Sequence, residues 1–338
     1  MVKLRYIMCL VFIAILSTTL ITGCGNDSEE SQSQQGDQLQ VVTSFYPLYY
    51  LVSEIGGEHV NVEQLVATGV DPHDWSPKSQ DIKNIIKADA FLYLGAGFEG
   101  WVPDILSGIE SDSDVHVVET SNGLDLIHLD DDHEGEEHHE DEASEHQEEE
   151  EHHEDEASGH NHSHSDIDPH VWTSPKQAIE LADQIKLALI EIDPDHKDDY
   201  EANFSELSAE LEEIDQAFES MVQQANRKEF VVSHQAYSYI ARDYGLVQQS
   251  IMGLSPEQEP TSQQLIEIQE FIQANNIKYI LFEDLTSPEL AETIAEDLNL
   301  EVMALNPLEG LTEEQQQNGD DFLSLMRDNV NVLEQVLQ

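Results

Sequence analysis

Hydrophobic positions along this chain follow two periods in alternation. LQVVTS (39–44) is a short β-rich run, and a helical stretch is expected around Leu48–Ile55. VNVEQLV (60–66) predicts a second strand, SQDIKNIIKAD a helix, AFLYLG (90–95) a third strand and VHVVET (115–120) a fourth. The scheme returns in the second half as EFVVS (229–233), LVQQSI (246–251), KYILFE (278–283) and LEVMAL (300–305). Helices are expected there around 235–243, 261–275, 287–298 and 318–337. Strands alternating with helices at these spacings predict an α/β fold of two lobes, each a four-stranded, mainly parallel sheet flanked by helices.

Between the halves, residues 195–225 carry Tyr200, Phe204, Leu207, Leu211, Ile214 and Phe218 at intervals of three or four, which marks one face of a helix. Pro194 stands near its start, where a missing N–H costs little. About thirty helical residues span about 45 Å, enough to brace both lobes. A covering helix of a single lobe is the plainer alternative. The division expected is an N-terminal lobe over 39–194, a linker helix over 195–225 and a C-terminal lobe over 226–338.

The first residues do not belong to this pattern. Lys3 and Arg5 precede an apolar run from Ile7 to Leu16, and small residues follow, as in a secretory signal over residues 1–23. Ile21-Thr22-Gly23-Cys24 resembles a bacterial lipobox, which would place a lipid on Cys24 and leave 24–38 as a flexible tether. Cys9 lies inside the signal, so the exported protein would hold no internal disulfide. No later stretch is long and apolar enough to span a membrane.

Charge changes the picture twice. The net charge is −58, which argues against a nucleic-acid partner because phosphates would be repelled. Seventeen of the acids and ten of the sixteen histidines fall between His128 and Ser165, where HHEDEAS at 138–144 recurs at 152–158. That insertion (128–165) shows no apolar periodicity and reads as a disordered, weak collector of metal ions.

Six histidines lie elsewhere. His59, His116 and His196 read as ordinary structural residues. His73 and His170 stand in two copies of one turn, DPHDW (71–75) and DPHVW (168–172). In each, proline fixes φ and pushes the preceding aspartate toward an extended conformation, and that aspartate can close an Asx-turn. Trp75 and Trp172 are expected to wall a site. His234 follows the strand EFVVS, and Glu309 in NPLEGL follows LEVMAL, both at the strand ends where open α/β sheets bind ligands. His73, His170, His234 and Glu309 would make a closed four-ligand set suited to Zn²⁺. Glu283 is a competing carboxylate or an outer support, and Tyr46 and Glu259 are candidates for the cleft border.

Over residues 39–338 the chain resembles the zinc branch of the metal-binding proteins of ABC importers, the ZnuA-like proteins. The marks are VVTSFYPLYYLVSEIGG, GVDPHDWSPKSQDIKNIIKAD, the histidine–acid insertion, DPHVWTSPKQA, FVVSHQAYSYIARDYGL and NPLEGLTEE. The resemblance implies a Zn²⁺ site in a cleft between lobes joined by one long helix. His73 and His170 would come from the first lobe, His234 and Glu309 from the second. Manganese and iron relatives carry a carboxylate where this chain has His234, and hard oxygen ligands suit Mn²⁺ better than imidazole does. The chain lacks the cysteine pair of Gram-negative zinc relatives.

The resemblance further implies delivery of zinc to an ABC permease and its cytoplasmic ATPase. The protein would act as a monomer, lipid-anchored on the outer face of a Gram-positive cell membrane. It would not be an enzyme. The alternatives are a Mn²⁺ or Fe²⁺ carrier of the same family and a secreted zinc hydrolase. The hydrolase reading lacks an HExxH helix and would need an open metal position. A surface adhesin would share the same fold.

Overall fold

The computed structural model describes residues 38–109, 113–129, 167–258, 260–287 and 289–338. The signal, Cys24, the tether to residue 37, residues 130–166 (most of the insertion) and Glu259 lie outside the described residues.

The first sheet contains β1 (Leu39–Thr43), β2 (Val60–Gln64), β3 (Ala90–Tyr93) and β4 (His116–Glu119), all parallel, in the order β2-β1-β3-β4. His116 opens β4. The second sheet contains β7 (Glu229–Val232), β8 (Val247–Ser250), β9 (Tyr279–Phe282) and β10 (Glu301–Ala304), also parallel, in the order β10-β9-β7-β8. Counting from each lobe's own first strand, both orders read 2-1-3-4. The central strands β3, β7 and β9 are near-continuous apolar runs, AFLY, EFVV and YILF, as sheets covered on both faces require. A further pair, β5 (Ile127–His128) and β6 (Ile167–Asp168), is antiparallel and joins the two ends of the insertion.

Helix α1 (Tyr46–Gly56) buries Leu48, Leu51, Val52 and Ile55, the i, i+3, i+4, i+7 stripe of a core-facing helix. The helices α2 (Ser79–Lys87) and α3 (Val102–Gly108) flank β3 in sequence. A long helix that the strand pattern does not announce, α4 (Pro175–Ile192), follows the second pentapeptide and buries Ala178, Leu181, Ala182, Ile185 and Leu189. The linker helix is α5 (Lys197–Gln224), preceded by a 3₁₀ turn at Pro194–His196. It buries Tyr200, Leu207, Leu211, Ile214 and Phe218, while Phe204 is half-buried with the Lys186 Nζ 4.2 Å from its ring centroid.

That helix packs on α1 and α4 from one half of the chain, and on α6 (Ser238–Tyr244) from the other. In the second lobe α7 (Ser262–Asn275) and α8 (Glu289–Leu298) separate the strands. The terminal helix expected over 318–337 is α10 (Phe322–Val336), and a short helix that the sequence reading does not include, α9 (Glu313–Asn318), precedes it. Gly319 in a left-handed conformation ends the first, and a capping box of Asp321 with Ser324 starts the second. Helix α10 also lies against α5, so both halves meet the linker and one core runs through them. Leu39–Gln338 is one compact unit. Among the described residues no helix is long and apolar enough to cross a membrane.

Candidate metal centre

The two pentapeptides fold alike at the backbone and differently at the ring. In each, the histidine N–H donates to the aspartate two residues earlier, at 2.8 Å for His73 to Asp71 Oδ1 and 3.0 Å for His170 to Asp168 Oδ1. In the second copy the same oxygen also lies 2.9 Å from His170 Nδ1, so Asp168 orients the imidazole as well as the loop. Asp168 is held in turn by β6, and its carbonyl accepts from Tyr239 Oη at 2.6 Å.

His234 sits two residues beyond β7, where Ala236 N–H closes a turn on its carbonyl at 3.0 Å. Its Nδ1 lies 2.5 Å from Glu283 Oε1, the carboxylate that directly follows β9, and Ser233 Oγ donates to that same oxygen. Glu283 therefore supports a ring and is not among the inward-facing donors. Glu309 is presented by the Asn306–Gly310 loop. Asn306 Oδ1 accepts the Leu308 N–H at 2.7 Å, Leu308 has φ 64°, and Asn329 of α10 hydrogen-bonds both the N–H and the carbonyl of Asn306.

These four loops bring His73, His170, His234 and Glu309 together, with one donor atom from each within 4.8 Å of the others. Glu309 Oε1 is 3.2 Å from His73 Nε2, 3.4 Å from His170 Nε2 and 3.6 Å from His234 Nε2. The last two nitrogens are 3.3 Å apart. Ligands at about 2.0–2.2 Å from a tetrahedral ion are separated by about 3.3–3.6 Å. Four of the six donor separations are thus close to the edges of such a tetrahedron, and all six lie within 4.8 Å.

Burial makes the charges interdependent. Desolvation alone would raise the Glu309 carboxyl, but the three imidazoles outweigh it and hold Glu309 well below the usual carboxylate range. Burial likewise pushes the two buried imidazoles down, and here the carboxylates prevail. His170 is raised by Asp168 and Glu309, and His234 is pushed up to about 10 by Glu283 and Glu309. Metal binding to such a set is coupled to proton release, because imidazole must be neutral to act as a ligand.

Of the two tryptophans expected to wall the site, Trp172 does so: its ring centroid is 5.4 Å from that of His170, and Nε1 donates to Pro307 O at 2.8 Å. Trp75 instead packs edge-on against Trp101 at 5.3 Å, in the cluster around α2 and α3. The ring against His73 is Phe98, at 5.1 Å, which the sequence reading does not single out. Tyr46 is buried beside Tyr50, with Asp321 and Phe322 among its neighbours, and so lies at the α1–α10 seam rather than at the cleft border. His59 and His196 stack on each other at 3.9 Å, near the N-terminal ends of the strands. A cavity of about 630 Å³ opens between Asp71 and Asp74 on one side and Met252, Glu257, Leu285 and Leu290 on the other.

Two like-ordered parallel sheets, one long helix packed on both halves, and a histidine–carboxylate set at strand ends of both sheets define a two-lobed cation-binding protein. The family described as zinc-uptake complex component A, periplasmic, matches residues 41–336, and the chain belongs to it. It is 37% identical over 329 residues to the high-affinity zinc uptake system protein ZnuA of Bacillus subtilis (strain 168), covering 97% of each chain. The zinc-binding lipoprotein AdcA of Streptococcus pneumoniae (strain ATCC BAA-255 / R6) is 34% identical over 325 residues, but this chain spans 60% of its length.

Among solved structures, the Zn(II)-bound ZnuA-like domain of Streptococcus pneumoniae AdcA superposes with a TM-score of 0.70 at 33% identity, over 89% of this chain and 99% of that one. The laminin binding protein Lmb of Streptococcus agalactiae, described as a bifunctional protein with adhesin and metal transporting activity, gives 0.73 at 32% identity over 89% of this chain and 100% of its own.

Proposed function

We propose that this chain captures Zn²⁺ between its lobes through Nε2 of His73, His170 and His234 and the carboxylate of Glu309, and delivers it to an ABC permease driven by a cytoplasmic ATPase. The observation that carries the reading is the convergence of three imidazole nitrogens on Glu309 Oε1 at 3.2, 3.4 and 3.6 Å, spacings close to those of donors sharing one zinc ion. Three nitrogens and one oxygen favour zinc over manganese, which prefers oxygen-rich octahedra. Four protein donors leave no position for a reactive water, which fits a carrier and not a zinc hydrolase. Family membership gives the same answer: these are solute-binding proteins of zinc uptake. The secretory signal over 1–23, a lipid on Cys24 and a tether over 24–38 would hold the carrier on the outer membrane face, within reach of the permease.

The test compares two variants by calorimetric titration and melting with Zn²⁺. Deleting 129–165 should leave one tight zinc, because none of the four donors lies in that segment. His170→Ala should abolish the tight site in the full-length chain. A ligand that binds only the folded state adds about 2.7 kcal/mol at a hundredfold excess over its Kd, so zinc should raise the melting temperature of the deletion variant and hardly that of His170→Ala. Loss of tight binding in the deletion with retention in His170→Ala would place the zinc on the insertion instead.

A further inference from the structure

The loop after β3, residues 94–101 (LGAGFEGW), is built in a costly way for a connection that carries no metal donor. Gly95, Ala96 and Gly97 have φ of 85°, 52° and 81°, three consecutive residues in the left-handed region. Two of them are glycines, for which this region carries no steric penalty, but Ala96 is not. The turn is closed by Phe98 N–H to Gly95 O at 3.0 Å.

It is fixed from inside by the buried carboxylate of Glu99. Oε1 accepts Ser44 Oγ at 2.6 Å and Leu94 N at 2.8 Å, and Oε2 accepts Gly95 N at 3.0 Å. Ser44 follows β1 and Leu94 follows β3, so the clamp sits at the point where strand order reverses in the first sheet, between two adjacent strand ends.

The residue this construction holds in place is Phe98. Its ring stands edge-on to His73 at 5.1 Å and 73°, and to His170 at 6.4 Å and 77°. On the other side it meets Phe45 at 4.6 Å and Trp172 at 5.1 Å. Phe98 itself is half-buried and its neighbour Gly97 is exposed, while His170 and His234 are fully buried and the Glu309 side chain is 3% exposed. The ring thus covers the outward side of two donors, the fully buried His170, and His73, whose side chain is 9% exposed.

We infer that Phe98 is a specificity-determining residue of the metal site, and that Glu99 is the positioning residue that keeps it there. The inference rests on the four-donor reading of the site. An apolar roof gives added water ligands no hydrogen-bond partner and little room, and the apolar shell around a metal controls solvent access to it. Zn²⁺ is satisfied by four protein donors, whereas Mn²⁺ requires further oxygen ligands to complete an octahedron. The roof therefore discriminates against Mn²⁺ independently of donor chemistry.

The experiment uses the full chain and its Phe98→Ala, Phe98→Leu and Glu99→Gln variants, with Co²⁺ as probe and Zn²⁺/Mn²⁺ competition as the second readout. Tetrahedral Co²⁺ lacks an inversion centre and absorbs strongly in the visible, and octahedral Co²⁺ absorbs weakly. The unaltered chain should give the strong band. Phe98→Ala should lose most of it and shift the Mn²⁺-to-Zn²⁺ affinity ratio toward Mn²⁺ by about tenfold. Phe98→Leu, still apolar and bulky, should restore both. Glu99→Gln keeps the ring but replaces one accepting oxygen with a donor facing N–H or O–H groups, and should weaken the band part-way.

An unchanged band and unchanged ratio in Phe98→Ala, with only a lower melting temperature, would make Phe98 a packing residue and overturn the inference. Should Phe98→Ala fail to fold, an unchanged band and ratio in Glu99→Gln would overturn it equally. Absence of the strong band in the unaltered chain, or its persistence in His170→Ala, would instead defeat the four-donor reading itself.

Discussion

Glu99 and Glu283 occupy corresponding places in the two sheets and perform different tasks. Each is a buried carboxylate at the reversal of strand order, and each accepts a hydrogen bond from a serine that follows the lobe's first strand, Ser44 or Ser233. In the second lobe the oxygen that accepts from the serine also faces a side chain, the ring of His234. In the first it goes to backbone N–H groups, and burial pushes the Glu99 carboxyl up despite those three donors. The same topological position thus orients a donor in one lobe and freezes a loop in the other.

Removing each carboxylate should separate the two tasks most widely. Glu283→Ala should weaken zinc binding by about 10–100-fold, the usual effect of losing an outer partner of a metal-bound histidine. Glu99→Ala should cost less affinity but lower the melting temperature of the metal-free protein, because three donors lose their acceptor and a buried unsatisfied group costs about 1–3 kcal/mol. Equal losses of zinc affinity in titrations of both variants would erase the distinction.

The serines give a finer comparison. Ser233→Ala and Ser44→Ala each remove one hydrogen bond to a carboxylate, about 1.5–3 kcal/mol for a charged acceptor. Zinc affinity measured by competition should fall with Ser233→Ala, while denaturant midpoints should fall with both.

The smallest effect is expected at a carboxylate outside either sheet reversal. His196 Nδ1 lies 2.6 Å from Asp193 Oδ2 at the solvent-exposed start of the linker helix, and that hydrogen bond raises the His196 pKa above 6.5. A raised folded pKa contributes stability that is complete below the unfolded value and lost as pH rises through the folded one. Asp193 is depressed, with burial opposing and His196 prevailing, so its share disappears as pH falls below the ordinary value of 3.8. His196→Ala should therefore lower the melting temperature more at about pH 5.5 than at about pH 8.5, with zinc affinity unchanged. An equal lowering at both pH values would show that the pair contributes nothing.

All eight strands of the two sheets, the linker helix and the four residues that cluster (His73, His170, His234 and Glu309) are legible in the amino-acid order, because each announces itself locally: a β-rich run, a three-to-four repeat, a Pro-fixed turn or a residue just past a strand. Helix α4 carries the same kind of stripe, but Ala178 and Ala182 dilute it. Phe98 and Glu99 are another matter. Their partners Ser44, Trp172 and His170 are distant in sequence, and the only local sign is two glycines flanking Ala96 after a strand. Trp75 and Trp172 show the converse, since identical pentapeptide positions meet different neighbours once the chain is packed.

The short ladder between β5 and β6 sets Ile127 opposite Asp168 and His128 opposite Ile167, so the acidic, histidine-bearing segment leaves and rejoins the fold at neighbouring points. Loop closure grows only logarithmically with length, about 0.6 kcal/mol for each doubling. Heritable gain or loss of a HHEDEAS unit therefore leaves Asp168, and the imidazole it orients, undisturbed.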